Sequence, residues 1–539
     1  MKPISILNEV LGPVMRGPSS SHTAAPYHLG RLVRDLLGGE PAAATFTFDP
    51  RGSWAEVYRE QGSDLGFAAG LMGWSLTDER FPQALECAAA QGLDLSFQVA
   101  PLPEADHPNT VGIHLVSNMG REFHAVGQSI GGGAVFITRL EDWPLDLGGD
   151  AYEVLVEVEE GAEPTVRAWL AQEEGVMGAV RCQAQGERRL LRARFYLPPR
   201  PELVPQLEGL AGVRRLWLAS PVVFPRRGEP LFATTAAMVA LAEEWECSLG
   251  RVALQYEATL LGWSKEEVQA EILHRFEVMR QSVHQGLSRE LPPMQLLQPS
   301  AGAILAAEAA GRLALGGLPT RAAARAMAVM HVNSSMGVVC AAPTAGSAGT
   351  LPGVIVTMAE EWGLTAEQTA LALLAAAAVG LIVAQRATFA AEVAGCQVEI
   401  GAAGAMAAAA VVEAVGGTAR QAADAAAIAF QNTMGSVCDL VQGIVEIPCH
   451  TRNAAAAASA FLCADLVLGG YSNPIPLDET VDAVYAVGQM LPRELKVTAL
   501  GGLALAPSAQ ALPRLRPNRA GPCPLSSVCQ KDNQTGTRI

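Results

Sequence analysis

Three cysteines stand where the chain could most readily do chemistry. Cys396 lies in AGCQVEIG, and Cys438 and Cys449 lie eleven positions apart in GSVCDLVQGIVEIPCHTRN. Thiolates are soft metal ligands, and three of them would leave a position on the metal for substrate. The spacing is not that of paired C-x-x-C zinc knuckles, and lone buried cysteines are common core residues. Buried thiols, zinc and a cluster therefore all remain open on spacing alone. The polar company favours a metal: Gln397 and Glu399, then Asp439, then His450, Thr451, Arg452 and Asn453. An apolar core has no use for so many polar groups unless something binds among them.

Two other stretches carry candidate groups. In His331 to Gly353, Asn333, Ser334, Ser335, Thr344 and Ser347 punctuate loops of small residues. Such loops expose backbone N–H groups that can hold a carboxylate, although taken alone they read first as turns and helix N-caps. Cys340, between valine and alanine, reads as core. In GPSSSHT, residues 17–23, Ser20, Ser21, His22 and Thr23 precede a helical stretch. One serine would serve as an N-cap, and the run could bind an anion. His22 is a candidate base or donor near neutral pH.

These groups need elements to position them. At 539 residues the chain exceeds one core, and two to four domains are expected. Residues 1–148 read as an α+β domain: a helix over Tyr27–Leu37, a strand TFTFDP, and helices near Glu60–Gly70 and Asp78–Gln91. LSFQVAP, VGIHLVS and EFHAVGQSIGGGAVFITRL then suggest a mixed sheet with hairpins. Gly131, Gly132 and Gly133 mark a turn or a close backbone approach. Residues 149–222 read β-α-β-β-α-β, the ferredoxin-like plan, and resemble an ACT-type regulatory module, a fold that commonly binds amino acids. PVVFPRRGEP reads as a linker. Residues 229–511 read as an all-α domain with alanine-dominated interior helices, and residues 512–539 as a flexible tail.

Composition narrows the function. A formal charge of -16 argues against nucleic-acid binding. Mean hydropathy is +0.22 with 5% aromatic residues, so much of the apolarity is alanine. The apolar run Ala370–Ala384 falls short of the roughly 20 residues a bilayer span needs and reads as a buried helix, with no membrane role. MKPISILNEVLGPV shows no signal-peptide pattern. Ten scattered cysteines suit metal binding or burial better than disulfides, with the cytoplasm as the default compartment.

GPVMRGPSSSHTAAP, HPNTVGIHL and QSIGGGAVF resemble the β portion of the bacterial iron–sulfur L-serine dehydratases. VNSSMGVVCAAPTAGSAGTLPG, AEVAGCQVEIGAAGAMAAAA, CDLVQGIVEIPCHTRNA and ALGGLALAPSA resemble their α portion, in the same order and here in one polypeptide. The resemblance implies that Cys396, Cys438 and Cys449 hold a 4Fe-4S cluster with one iron free of a protein thiolate. That iron would polarise the hydroxyl of L-serine while a base removes the α-proton, and the enamine would hydrolyse to pyruvate and ammonia. Ser20, Ser21, His22 and Thr23, with Asn333, Ser335 and Thr344, would line the substrate pocket. Arg452 and Asn453 would bind the carboxylate or support the ligands. His22, then His124 and His450, are the candidate bases. Paired ACT-like modules would make a homodimer.

The chain departs from the family pattern in three places. Leu440 replaces the usual proline, and MQLLQPSAGAILAAEAAG lacks the usual Gly-Gly-Asp and lysine. Cys523 and Cys529 are internal to the tail, where relatives end in a cysteine, so neither is taken as a fourth ligand. The alternatives are the same chemistry on a related small amino or hydroxy acid, a non-catalytic cluster- or amino-acid-binding sensor, or a structural zinc site.

Overall fold

Alternation in Pro41–Phe48 puts Ala44, Phe46 and Phe48 inside a sheet while their neighbours stay half-exposed. In the computed structural model, which describes residues 3–288, 291 and 294–515, this strand lies second in a six-stranded mixed sheet. The order across it is Asp94–Val99, Pro41–Phe48, Thr110–Ser117, Glu122–Gly131, Ala134–Leu140 and Trp143–Leu147. The first pair is parallel and the rest are antiparallel. The helices Ala25–Leu37 and Ser63–Leu71 pack together, and Phe67 stacks on Phe46 at 4.1 Å between ring centroids. Gly131, Gly132 and Gly133 all take positive φ. A side chain at Gly131 would meet the backbone N of Ala390 at 2.6 Å, so the expected turn is also a close approach to the helical region.

Residues 152–219 form the expected β-α-β-β-α-β order. Strands Tyr152–Glu159, Arg181–Gln185, Arg188–Phe195 and Val213–Ala219 make an antiparallel sheet in the order fourth, first, third, second. Helices Glu163–Gln172 and Leu203–Glu208 close a separate small core that includes Val156, Val158, Leu170, Leu191 and Phe195.

Among the described residues from Thr235 onward, the regular elements are helices apart from one strand. Strand Val338–Cys340 pairs antiparallel with Val14–Arg16, so the region is not purely α. The start of the chain is bound into the helices as well. Glu257 accepts hydrogen bonds from the N–H groups of Ile6 and Leu7, at 2.8 and 3.0 Å. The apolar run near Ala370 belongs to a longer helix than the run suggests. Ala366–Arg386 has 21 residues, and Cys396–Ala414 has 19. Both are long and apolar enough to span a membrane by length and composition, yet 78% and 89% of their apolar windows are buried against protein. Alanine and glycine allow such close packing.

Two expectations about the cysteines and the tail need adjusting. Cys87 is disulfide-bonded, against the preference for metal or burial. Of the expected tail, residues 516–539, with Cys523 and Cys529, lie outside the described residues. Its first residues are engaged: Leu515 N donates to Gln295 O at 2.7 Å, and Arg514 Nε donates to Gln442 Oε1 at 3.0 Å.

Candidate active site and metal centre

Each of the three cysteines is placed by a different element. Cys396 opens the short turn that leads into the helix Ile400–Ala414. Cys438 is extended, its N–H donating to Leu495 O at 2.9 Å and its carbonyl accepting from Val497 N at 3.1 Å. Cys449 is the first residue of the helix Cys449–Leu468. They are 2%, 3% and 2% exposed, and all three are free thiols. The sulfurs of Cys396 and Cys438 and a carboxylate oxygen of Glu399 all lie within 4.8 Å of one another.

This donor set suits a soft, multiply charged metal group. The Cys438 thiol is pushed well above its ordinary pKa by its hydrogen bond to Cys396 and by burial, and Cys449 is pushed up chiefly by burial. A metal is what would hold such crowded thiols as thiolates. Arg452 supplies partial compensation. It donates to Val437 O at 2.7 Å, pairs with Asp439 at 3.0 Å and lies against the Cys396 sulfur.

A cavity opens beside the thiols. Cys438 and Cys449 line it together with Ser19, Ser21, His22 and Gln61 from the loops of the first domain. Glu392 and Glu399 supply its acidic wall, and Leu440, Val445 and Val497 its apolar one. Burial pushes His22 down to about 3, so its ring is neutral. Its Nε2 lies 3.0 Å from Ser53 Oγ, and Nδ1 lies 3.4 Å from Ser19 Oγ. Ser53 Oγ donates to Asn109 Oδ1 at 2.5 Å, and Asn109 Nδ2 donates to Glu392 Oε1 at 2.7 Å. Burial raises Glu392 to about 8 and Glu399 to about 7. Ser21 bonds the first carboxyl and Thr344 the second. Such a site can take a proton at one group and give one at another.

Residues 214–504 match the family described as serine dehydratase alpha chain. The chain belongs to that family. A probable L-serine dehydratase alpha chain from Bacillus subtilis is 38% identical over 282 residues, which is 52% of this chain and 94% of the relative. One from Latilactobacillus sakei is 46% identical over 187 residues, 35% of this chain and 90% of the relative. A probable L-serine dehydratase beta chain from Bacillus subtilis is 40% identical over 148 residues, 28% of this chain and 66% of the relative. Stretches similar to the family's alpha and beta chains are thus fused here in one polypeptide.

Within this family member, the sequence-derived candidates divide by what their atoms touch. His22, Ser21, Cys438 and Cys449 face the cavity. Ser20 Oγ accepts from Ala345 N at 3.4 Å, and Thr23 donates to Gln61 O at 2.6 Å, so both brace the loop. Asn333 donates to Pro18 O at 2.9 Å and holds the two serine-bearing loops together. Neither it nor the half-buried Ser335 lines the cavity. Asn453 is fully engaged. Its Oδ1 accepts from the N–H groups of Gly349 and Thr350 at 3.2 and 3.0 Å, and its Nδ2 donates to Gly346 O and Cys449 O. It clamps a loop to the start of a helix and has no group left for a carboxylate.

Two candidate bases lie elsewhere. His124 is exposed on the sheet, its ring stacked 4.4 Å from that of His114. His450 is buried with Nε2 at 2.9 Å from Ser334 Oγ and does not line the cavity. Sequence reasoning missed Glu392 as a site residue and took Glu399 only as polar company. Both flank Cys396 in a stretch otherwise almost free of charge, and that was the available signal. Ser53, Gln61 and Asn109 carried none in the residues alone.

Proposed function

We propose that this chain converts L-serine to pyruvate and ammonia, with Cys396, Cys438 and Cys449 holding a 4Fe-4S cluster. One observation carries the reading: the buried free thiols of Cys438 and Cys449 line a cavity that also holds a neutral histidine and two protonatable carboxyls, and the Cys396 sulfur lies within 4.8 Å of that of Cys438. When bound, the cluster would supply a Lewis acid for the substrate hydroxyl. The Ser19 and Ser21 hydroxyls offer hydrogen bonds to the substrate carboxylate. His22 takes the α-proton, its ring kept unprotonated by burial. Glu392, protonated near neutral pH, delivers a proton to the departing hydroxyl, which leaves as water. The resulting enamine tautomerises, and its imine is hydrolysed to pyruvate and ammonia. Arg452 offsets the charge gathered at Cys396, and Asn453 fixes the helix that begins at Cys449.

The same reading makes residues 152–219 an ACT-type regulatory module that pairs with its copy in a cytoplasmic homodimer. Sedimentation of the purified chain tests the pairing, and a monomer at micromolar concentration would overturn it. The apolar wall of Leu440, Val445 and Val497 favours a second substrate reading, a serine analogue with a methyl group on its β-carbon. Anaerobic purification tests the whole. A brown protein bleached by air, carrying four irons per chain and releasing pyruvate from L-serine, is expected. A colourless zinc-loaded protein would sink the cluster, and a brown protein inert toward serine and its analogues would leave a sensor.

A further inference from the structure

The hydrogen bonds behind His22 admit one tautomer. Asn109 is buried and gives its amide hydrogen to Glu392 Oε1 at 2.7 Å, which turns its Oδ1 toward Ser53. An amide oxygen only accepts, so the Ser53 hydroxyl hydrogen is engaged there, at 2.5 Å. The Ser53 oxygen facing His22 Nε2 at 3.0 Å is then left as an acceptor, and Nε2 must carry the ring hydrogen. Nδ1 keeps the lone pair. Its neighbour Ser19 Oγ already accepts from the His22 backbone N–H at 3.1 Å and lies 3.4 Å from Nδ1, a long contact that a substrate can displace. The edge of Trp54, 6.4 Å away between centroids and nearly perpendicular at 87°, fixes the plane of the ring.

We propose that Ser53 and Asn109 are positioning residues that hold His22 as the Nε2–H tautomer, with Nδ1 as the atom that takes the proton. The inference rests on the reading of His22 as the base. A carboxylate commonly orients such a histidine and also raises its basicity. Here a hydroxyl and an amide do the orienting, so the ring is fixed without a charge beside it. The bridge ends on Glu392, which faces the same cavity as His22. Two groups at the cavity wall are thus joined from behind, and each constrains the orientation of the other.

The tautomer is measured directly on full-length protein labelled with nitrogen-15 at histidine and purified anaerobically. The His22 signals are assigned by their loss in His22→Gln. A protonated Nε2 and an unprotonated Nδ1 are expected in the wild type. In Ser53→Ala the two tautomers should mix, and kcat should fall by roughly 100-fold or more with KM little changed, as when an orienting partner of a catalytic histidine is lost. Ser53→Thr, which keeps the hydroxyl, should restore both. A protonated Nδ1 in the wild type overturns the proposal and needs no variant to fold. So does an unchanged tautomer in both Ser53→Ala and Asn109→Leu. The expected tautomer in a protein that deaminates neither L-serine nor its β-methyl analogue supports the positioning role and overturns the reading of His22 as base.

Discussion

Arg452 and Asp439 form an ion pair at 3.0 Å across the loop that joins Cys438 to Cys449. Asp439 is almost wholly buried, and its other oxygen accepts from Leu503 N at 2.9 Å. The pair therefore ties the cysteine loop to the C-terminal segment that covers it. Removing the guanidinium would leave a buried carboxylate without its cation. Loss of one partner of a buried pair costs several kcal/mol. Arg452 is partly exposed, so Arg452→Met should destabilise by about 2 kcal/mol after allowance for solvent screening. Urea denaturation measures this. Iron content after anaerobic purification should also fall, because Arg452 lies against the Cys396 sulfur.

The cysteines themselves give the sharpest contrast. Cys438→Ala should lose both iron and lyase activity, since two thiols and a carboxylate make a poor substitute for three thiols. Cys463, buried and bonded only to Ser459 and Asn432 among the described residues, should tolerate Cys463→Ala with iron content unchanged and a cost near 1 kcal/mol. Equal iron in the wild type and Cys438→Ala would remove Cys438 from the ligand set.

Stability should fall as pH rises from 6.5 to 8 in the metal-free protein. Burial raises Glu392 from 4.5 to about 8, so the folded state keeps a proton that the unfolded chain has released above about 4.5. Its unfavourable contribution begins there and grows until the folded carboxyl ionises near 8. The buried histidines act oppositely: His22 is lowered to about 3, and His28 and His331 to about 4. Their contribution is complete above 6.5 and is lost as pH falls below it. Only carboxyl effects therefore remain between 6.5 and 8, those of Glu257 and Glu399 fading near 7 and that of Glu392 persisting to about 8, with a slope of up to about 1.4 kcal/mol per pH unit for each group. Glu392→Gln should flatten the slope in urea titrations.

The N-terminal sheet and the interior helices were legible because their signals are periodic. Alternation at Ala44, Phe46 and Phe48 marked a strand with one buried face, and the alanine-rich run at Ala370–Ala384 marked an interior helix. The thiols were legible from their polar neighbours. The groups that complete the site were not, because they are brought in by pairing at long range. Asn109 meets Glu392 across 283 positions, and the strand at Val338–Cys340 meets the one at Val14–Arg16. No local propensity encodes either contact. Asn453 was expected to bind the carboxylate or to support the ligands, and which of the two was not legible locally, because its amide is taken up by the backbone of a distant loop and of Cys449.

Gly17 decides whether the two serine-bearing loops can meet. A Cβ there would lie 2.1 Å from the carbonyl oxygen of Asn333 and 2.3 Å from its Oδ1. The loop cannot slide to make room, because Met15 is in register with Val339 and Gly17 N donates to Gly337 O at 3.2 Å. Gly17→Ala must therefore push the GPSSSHT loop off its seat, at about 3 kcal/mol, the upper end of ordinary overpacking. Activity should suffer more than stability, since displacing Ser21 and His22 by about 1 Å can cost roughly 100-fold in rate. Gly161→Ala, where an added Cβ meets nothing within 4 Å, should change Tm and pyruvate release little. If Gly17→Ala retains wild-type turnover, the loop does not carry the residues that position the substrate.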